Sequence, residues 1–431
     1  MKPNENAVVS AVVGCPIATA GEVFADGAMI ELIGGVHPSQ PLLMLWDGST
    51  EIIGPVVEYD CQLYSPALIE SSILRELTLP TSCSPHGTTR EFLAEICKLV
   101  TALVGVDEKA ASLIARIVLC SAIVEAVSVA PALVITGPDT SRANRLLSVL
   151  RCLCRHPIRL TSVTPASLSS LASGLRYTFL IRQTAVSDKL QKLLDDASRR
   201  DQKIPSRGGL LDLFGVQVIQ SDSFLSANSC PLRSIQIAMI PTNAVLPVLD
   251  ESGQRRIASE FQAKLLSFRR TNLGASQRQD FDASNFSFPL KDLARSIAAA
   301  TPDDPESQAE VFELLREEDA ESRSARWTDL SAITVEAVLV AWKESPGEAF
   351  YISELSNLAQ AILRGRGEDS NIDPGAFGKC LKALGFATEP RDAKGRKLQL
   401  SEGVHDHALR LARDLDVPAP EVSSPEVSLR R

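Results

Sequence analysis

A chain of 431 residues is too long for one ordinary domain, so about two to four are expected, and its hydrophobic content of 45% is enough to fill their cores. A net charge of −9 excludes a globally basic nucleic-acid binder while leaving room for a local basic patch. The cysteines (Cys15, Cys61, Cys83, Cys97, Cys120, Cys152, Cys154, Cys230 and Cys380) form no C-x-x-C pair. An odd number without framework spacing reads as reduced thiols in a cytoplasmic protein, most of them buried.

From the N-terminus, no basic region leads into an apolar leader, and short alternating runs come first: Ala28 to Ile33, Leu42 to Trp46 and Glu51 to Tyr59. Gly34-Gly35 and Asp47-Gly48 supply the turns, so residues 1–87 read as a β-rich module closed by a Pro/Ser joint at Pro80 to Pro85. Trp46, Tyr59 and Tyr64 fit its core better than a ligand platform. Residues 88–130 read as a helical pair, the first helix opened by the capping box Thr88-x-x-Glu91 and the second capped by Asp107. The apolar stretch Ala110 to Ala130 is interrupted by Arg116 and Glu125, which predicts a buried helix and no membrane span.

Leu133 to Ile135 reads as a buried strand, Gly137 breaks it, and Leu146, Leu147, Leu150 and Leu153 follow at helical spacing. Strand, glycine turn and helix form the setting of a phosphate-binding loop, in which G-x-x-x-x-G-K-[ST] wraps backbone N–H groups around phosphates, with Lys and Mg²⁺ neutralising charge. The first glycine is present as Gly137, but Arg142, Ala143 and Asn144 stand where the second Gly, the Lys and the Ser/Thr belong. The loop remnant is thus Gly137, Ser141, Arg142, Asn144 and Arg145, with Asp139 adding negative charge.

Four more strands are predicted, at Ile158 to Leu160, Tyr177 to Ile181, Val216 to Gln220 and Ser234 to Ile240. Helices starting at Ser141, Thr164-Pro165 and Ser187-Asp188 alternate with them, which predicts a parallel sheet over residues 131–250. The link from Arg199 to Phe214 is expected as a loop at the sheet's C-terminal edge. Residues 251–328 read as a helical lid or linker: an amphipathic helix at Ile257 to Phe268, an irregular polar stretch at 271–285, and an acidic helix with a solvated face from Thr301 to Glu318.

Residues 329–416 change pattern. A helix at Ile333 to Trp342, a strand at Phe350-Tyr351, a helix from Ser353 and a helix from Asp373-Pro374 precede two strand-like pieces, Phe386 to Glu389 and Lys397 to Leu400, and a last helix near Val404. This is a winged-helix order. Lys379 and Lys382 fall on its third helix, and Arg391, Lys394, Arg396 and Lys397 on its wing, where phosphate-backbone contact requires them. His405-Asp406-His407 is not a metal pair, because i and i+2 residues do not face each other on a helix. Residues 417–431 read as a disordered tail.

The order of elements over residues 40 to 415 resembles the core of P-loop ATPases of the AAA+ and helicase type, most nearly bacterial, mobile-element-linked proteins in which that core precedes a winged helix. The fold implied is α/β: a P-loop NTPase-like parallel sheet with a β-rich N-terminal module and a C-terminal winged-helix domain. In that family two acids end the third strand and hold the Mg²⁺ shell; here Arg182-Gln183 follow Ile181. A polar sensor residue ends the fourth strand, matched by Gln220 or Ser221, and Arg233 stands where an arginine finger would reach a neighbouring subunit's nucleotide. Phosphoryl transfer is mostly charge neutralisation and positioning, and the Lys, the hydroxyl and both acids are missing together. The resemblance therefore implies a degenerate protein with no catalytic residue and no bound ATP, Mg²⁺ or other metal. It would contact DNA and dock a partner, such as an active ATPase or replication protein. A divergent ATPase and a purely protein-binding adaptor are the alternatives.

Overall fold

The computed structural model describes residues 15–37, 40–171, 174–206, 209–221, 234–242, 244–287, 290–320, 329–368, 371–390, 395–415 and 417. The chain divides into two compact units, one of residues 1–283 and 289–315, the other of residues 284–288 and 316–431.

In the first unit, β1 (Ile17–Thr19), β2 (Gly21–Val23), β3 (Met29–Ile33), β4 (Leu42–Trp46), β5 (Glu51–Gly54), β6 (Val57–Tyr59) and β7 (Gln62–Pro66) build two small sheets, ordered β2-β3-β4-β5 and β1-β7-β6. The single run expected at Glu51 to Tyr59 is split in two, because Gly54-Pro55 interrupts the ladder. Tyr64 is buried, whereas Trp46 is half-buried beneath the Arg270 guanidinium, 4.0 Å from its ring centre. After α1 (Ser71–Glu76) come α2 (Thr89–Val104), whose Thr88–Glu91 capping box is formed, and α3 (Glu108–Ala122), capped by Asp107.

The core sheet is parallel throughout. Its strands are β8 (Ala132–Thr136), β9 (Pro157–Thr161), β10 (Thr178–Gln183), β13 (Gln217–Ser221) and β14 (Ser234–Ala238), ordered β14-β8-β13-β10-β9. Between them lie α4 (Thr140–Leu153), α5 (Pro165–Leu168), α6 (Asp188–Ala197) and a hairpin of β11 (Ile204–Ser206) and β12 (Gly209–Leu211). With strand, glycine turn and helix at its centre, this is a P-loop NTPase-like α/β core. Residues alternate between its faces: Ile158, Phe179, Ile181 and Ile219 pack with Ile30, Leu32, Leu43 and Leu45, so the N-terminal strands share a core with the sheet. The opposite face packs on α4.

The link from Arg199 to Phe214 is not at the C-terminal edge. Ala130 N donates to Ser198 O and Arg200 N to Ser128 O, which pins its start beside the entry to β8, at the edge where strands begin. Residues 271–285 are not irregular throughout, since α7 (Glu251–Arg278) runs unbroken to 278. Its polar residues have internal partners: Asn272 Nδ2 donates to Phe268 O and Ser276 Oγ to Ala299 O, the latter in α8 (Leu290–Ala299). Likewise α9 (Pro305–Leu314) does not present only a solvated face, for the fully buried Arg116 donates to Ser307 O at 2.9 Å and to Glu310 at 2.9 Å. Of the eight described cysteines only Cys120, Cys152 and Cys154 are buried; Cys15 and Cys61 are exposed.

A buried ionic cluster ties the N-terminal strands to the core. Glu31 on β3 accepts from Arg155 Nε at 2.6 Å and from Arg269 Nε of α7 at 3.0 Å. Glu125 accepts from Arg155 Nη1 at 3.0 Å and Arg269 Nη1 at 2.7 Å. Burial alone would raise both carboxyl pKa values, but the two guanidiniums outweigh it, holding Glu31 well below its ordinary range and Glu125 down to about 2. Two charges of each sign, each hydrogen-bonded, make the burial tolerable; removing one strands the rest.

The second unit contains α10 (Leu330–Glu344), β15 (Ala349–Tyr351), α11 (Ile352–Gly365), α12 (Pro374–Ala383), β16 (Lys397–Gln399) and α13 (Glu402–Asp414), with β15 and β16 antiparallel. Leu355, Phe377, Leu381, Leu398 and Ala408 fill its separate core. Phe386 to Glu389 is not a strand, although Glu389 N donates to Lys397 O at 2.8 Å. His405 stacks on Trp342 and His407 Nε2 reaches Leu384 O at 2.8 Å, so the two imidazoles serve different contacts. The expected tail, apart from Val417, lies outside the described residues.

Replacing Glu31 by Ala should cost about 3–5 kcal/mol, because two buried guanidiniums lose a carboxylate. Both carboxyl pKa values are depressed in the fold, so their stabilisation is complete above the unfolded value near 4.3 and is lost as pH falls towards 2. Urea unfolding of wild type and Glu31→Ala across that range checks both expectations: the wild-type loss should be the steeper.

Candidate functional site

The loop after β8 is shorter than a phosphate loop requires. Gly137 has φ 105°, in the left-handed region, and Pro138 and Asp139 follow before α4 begins at Thr140. Asp139 is the N-cap, its Oδ1 accepting from Arg142 N at 3.0 Å. An internal carboxylate thereby takes the place at the helix N-terminus that an anion would otherwise fill. Ser141, Arg142, Asn144 and Arg145 all lie on the helix itself, so the remnant positions do not form a cradle.

The chain after β14 closes the turn. Met239 N donates to Thr136 O at 2.7 Å, and Asp139 N donates to Met239 O at 3.1 Å. Met239 is wholly buried, and a Cβ on residue 137 would lie 2.6 Å from its carbonyl oxygen. Only glycine fits there, because both the backbone angle and the close approach exclude a side chain.

Both arginines point away from the loop. Arg142, 9% exposed, donates through Nε to Val104 O at 3.0 Å, through Nη2 to Gly105 O at 2.8 Å and through Nη1 to Ile240 O. Arg145 donates through Nε to Leu103 O at 2.5 Å and through Nη2 to Pro247 O. Leu103, Val104 and Gly105 carry carbonyls at the C-terminal end of α2, which lack intrahelical partners and form the negative end of its dipole. The guanidiniums therefore lock α2, α4 and the 239–247 segment together.

Ser141 is exposed on the first turn, and Asn144 donates to Thr140 O at 2.9 Å and accepts from Arg159 at 3.3 Å. Arg182 and Gln183 lie within β10, and Gln183 Oε1 accepts from Val163 N at 2.8 Å. Gln220, paired in register with Ile135, is 2% exposed, yet neither its Oε1 nor its Nε2 has a hydrogen-bond partner among the described residues. Arg233 lies outside the described residues.

In the second unit, α12 buries Phe377 and Leu381 and exposes Lys379 and Lys382 one turn apart. Arg396 is exposed at the entry to β16, while the Lys397 ammonium sits 4.7 Å from the centre of the Tyr351 ring. Arg391 and Lys394 lie outside the described residues. Reading the sequence did not find Glu31, Arg155 and Arg269; the one signal available was a carboxylate inside the apolar run Met29–Ile33.

No protein-family model and no curated protein matches the chain. Among solved structures, the apo C-terminal region of NrS-1 is 12% identical, covers 86% of this chain and 97% of its own, and has a TM-score of 0.35. The SCCmec type IV Cch helicase is 11% identical, with 68% of each chain covered and a TM-score of 0.31. Drosophila ORC bound to DNA is 12% identical, covers 83% of this chain and 96% of its own, and has a TM-score of 0.19. At such scores the likenesses support no statement about activity. Among the described residues no helix is long and apolar enough to cross a membrane.

Gly137→Ala should destabilise the first unit by about 1–3 kcal/mol, through left-handed strain and the contact with Met239. Arg142→Ala should cost about 3 kcal/mol or more, since charged hydrogen bonds are worth about 1.5–3 kcal/mol each and three carbonyls, that of Val104 buried, lose a donor. Arg142→Lys should recover less than half, lacking the planar fork. Chemical denaturation of the three variants measures these differences.

Proposed function

We propose that this chain is a non-catalytic, AAA+-like P-loop protein that contacts DNA through a winged-helix C-terminal unit and docks a protein partner. A replication or mobile-element ATPase is the partner class that fits. The carrying observation is the direction of Arg142 and Arg145, whose guanidiniums are committed to backbone carbonyls of α2 and the 239–247 segment. A phosphate chain would need those cations, the loop amides and a Lys turned towards it. Here Asp139 N serves Met239 O, and Ala143 stands in the Lys position.

DNA contact is supported by Lys379, Lys382 and Arg396, exposed on α12 and beside β16 around a core that orders helix, strand, helix, helix, strand and helix. Such cations read the phosphate backbone and carry no sequence preference by themselves. A second reading, nucleotide binding without turnover, is favoured by Gln220, whose buried amide has no partner among the described residues beside the loop strand. A buried polar group left unpaired costs about 1–3 kcal/mol, and a ligand atom would relieve that cost.

Calorimetric titration with ATP and Mg²⁺ to high micromolar concentration should give no saturable heat; saturable binding would overturn the first reading in favour of the second. Binding of duplex DNA should weaken steeply with salt, and Lys379→Ala, Lys382→Ala and Arg396→Ala should each flatten the log K against log salt slope by about 0.9. Binding indifferent to salt and to these changes would remove the DNA role.

A further inference from the structure

We propose that Arg151, Arg159 and Arg182, with Asn144 and Ser148, form a phosphate-binding surface on the outer strands of the core sheet, separate from the loop and from the C-terminal unit. The placement follows from two periodicities. Asn144, Ser148 and Arg151 recur at i, i+4 and i+7 on α4, all half-buried. Arg159 on β9 pairs in register with Leu180, and Arg182 with Thr161, so the two arginines are diagonal neighbours on the face that packs on α4. β9 is the outermost strand, flanked by α1, and Arg159 and Arg182 are each half-buried there.

Its charge is poorly compensated. Among the described residues Arg159 is held by neutral groups only, Ser148 Oγ at 3.4 Å and Asn144 Oδ1 at 3.3 Å. Arg151 has the single carboxylate, Glu76, at 3.2 Å, itself half exposed. Among the described residues no ion pair involves Arg182. Burial, and after it the charges of Arg151 and Arg182, push the Arg159 pKa below its ordinary value, with Glu76 acting against them. Contrast the cluster around Glu31, where each guanidinium faces carboxylates.

Guanidiniums stay charged throughout the accessible pH range, so mutual repulsion here cannot be relieved by losing a proton. An oxyanion can relieve it. Arginine forks match phosphate geometry in two-point contact, and Asn144 Nδ2 has a second N–H beyond the one given to Thr140 O, while the Ser148 hydroxyl, which donates to Asn144 O, orients Arg159. Half-buried guanidiniums at a sheet edge suit the phosphodiester of a nucleic-acid strand and also a free phosphate group, the same chemistry from two sources.

Fluorescence anisotropy of the full chain with a labelled single-stranded oligonucleotide of mixed sequence tests one source, and calorimetry with inorganic pyrophosphate tests the other. The double variant Arg159→Ala/Arg182→Ala should flatten the salt slope for the oligonucleotide by about 1.4, two contacts at about 0.7 each, and lower affinity at least tenfold. Arg159→Lys/Arg182→Lys should keep the slope, because the charges remain. A loss confined to pyrophosphate assigns the site to free phosphate; a loss for the oligonucleotide assigns it to nucleic acid. With thermal melts unchanged, no effect of the double alanine variant in either arm, or no wild-type binding in either, overturns the proposal. Lys379→Ala/Lys382→Ala run in parallel tells failure of this surface from failure of the C-terminal one.

Discussion

The geometry of the first unit depends on how α4 begins. A helix that starts three residues after Gly137, with Asp139 as its cap, has no room for a phosphate cradle. What keeps it there is a set of charge-assisted hydrogen bonds from Arg142 and Arg145 to carbonyls at the end of α2 and along the 239–247 segment. Each element satisfies a need of the other: α2 has unpaired carbonyls at the negative end of its dipole, and α4 has two cations half removed from water. The parallel strands and the glycine turn set a helix N-terminus after β8, while the polar groups at the turn are occupied by the chain itself.

A second constraint governs the other side of the sheet. Glu31 and Glu125 face Arg155 and Arg269 across β3, the short turn after α3, the end of α4 and α7. His156 lies beside the cluster: Nδ1 is 2.6 Å from Leu175 O and must donate, and Nε2, 3.2 Å from Glu31, has no hydrogen-bond partner among the described residues. Burial and Arg155 hold its pKa down. Such clusters are weak contributors to net stability but strong determinants of which partners can meet, which here means the N-terminal strands against the sheet.

Legibility in the sequence followed the physics. Alternation of short apolar runs with capped helices placed all five core strands and their parallel sense, because burial on both faces leaves a continuous apolar record. In the second unit Asp373-Pro374 marked a helix start by local chemistry, whereas the strand expected at Phe386 to Glu389 did not form and the last helix begins at Glu402 rather than near Val404. The extension of α7 to Arg278 was hidden because its polar residues bond to backbone carbonyls, Asn272 within α7 and Ser276 on α8. The roles of Arg142 and Arg145 were hidden for a similar reason: their acceptors are carbonyls, which every residue has. The loop's missing Lys and acids were visible, but the early start of α4, which removes the cradle altogether, required the register of Asp139 against Met239.

The turn after β8 is closed by its own chain before any ligand arrives. Hydrogen–deuterium exchange of the amides from Thr136 to Ala143, with and without a nonhydrolysable ATP analogue and Mg²⁺, tests it most directly. Closure predicts that Asp139 and Ala143, whose N–H groups donate to Met239 O and Asp139 O, are protected to the same degree in both samples. Fast exchange in the free protein that slows markedly when the analogue is added would contradict it.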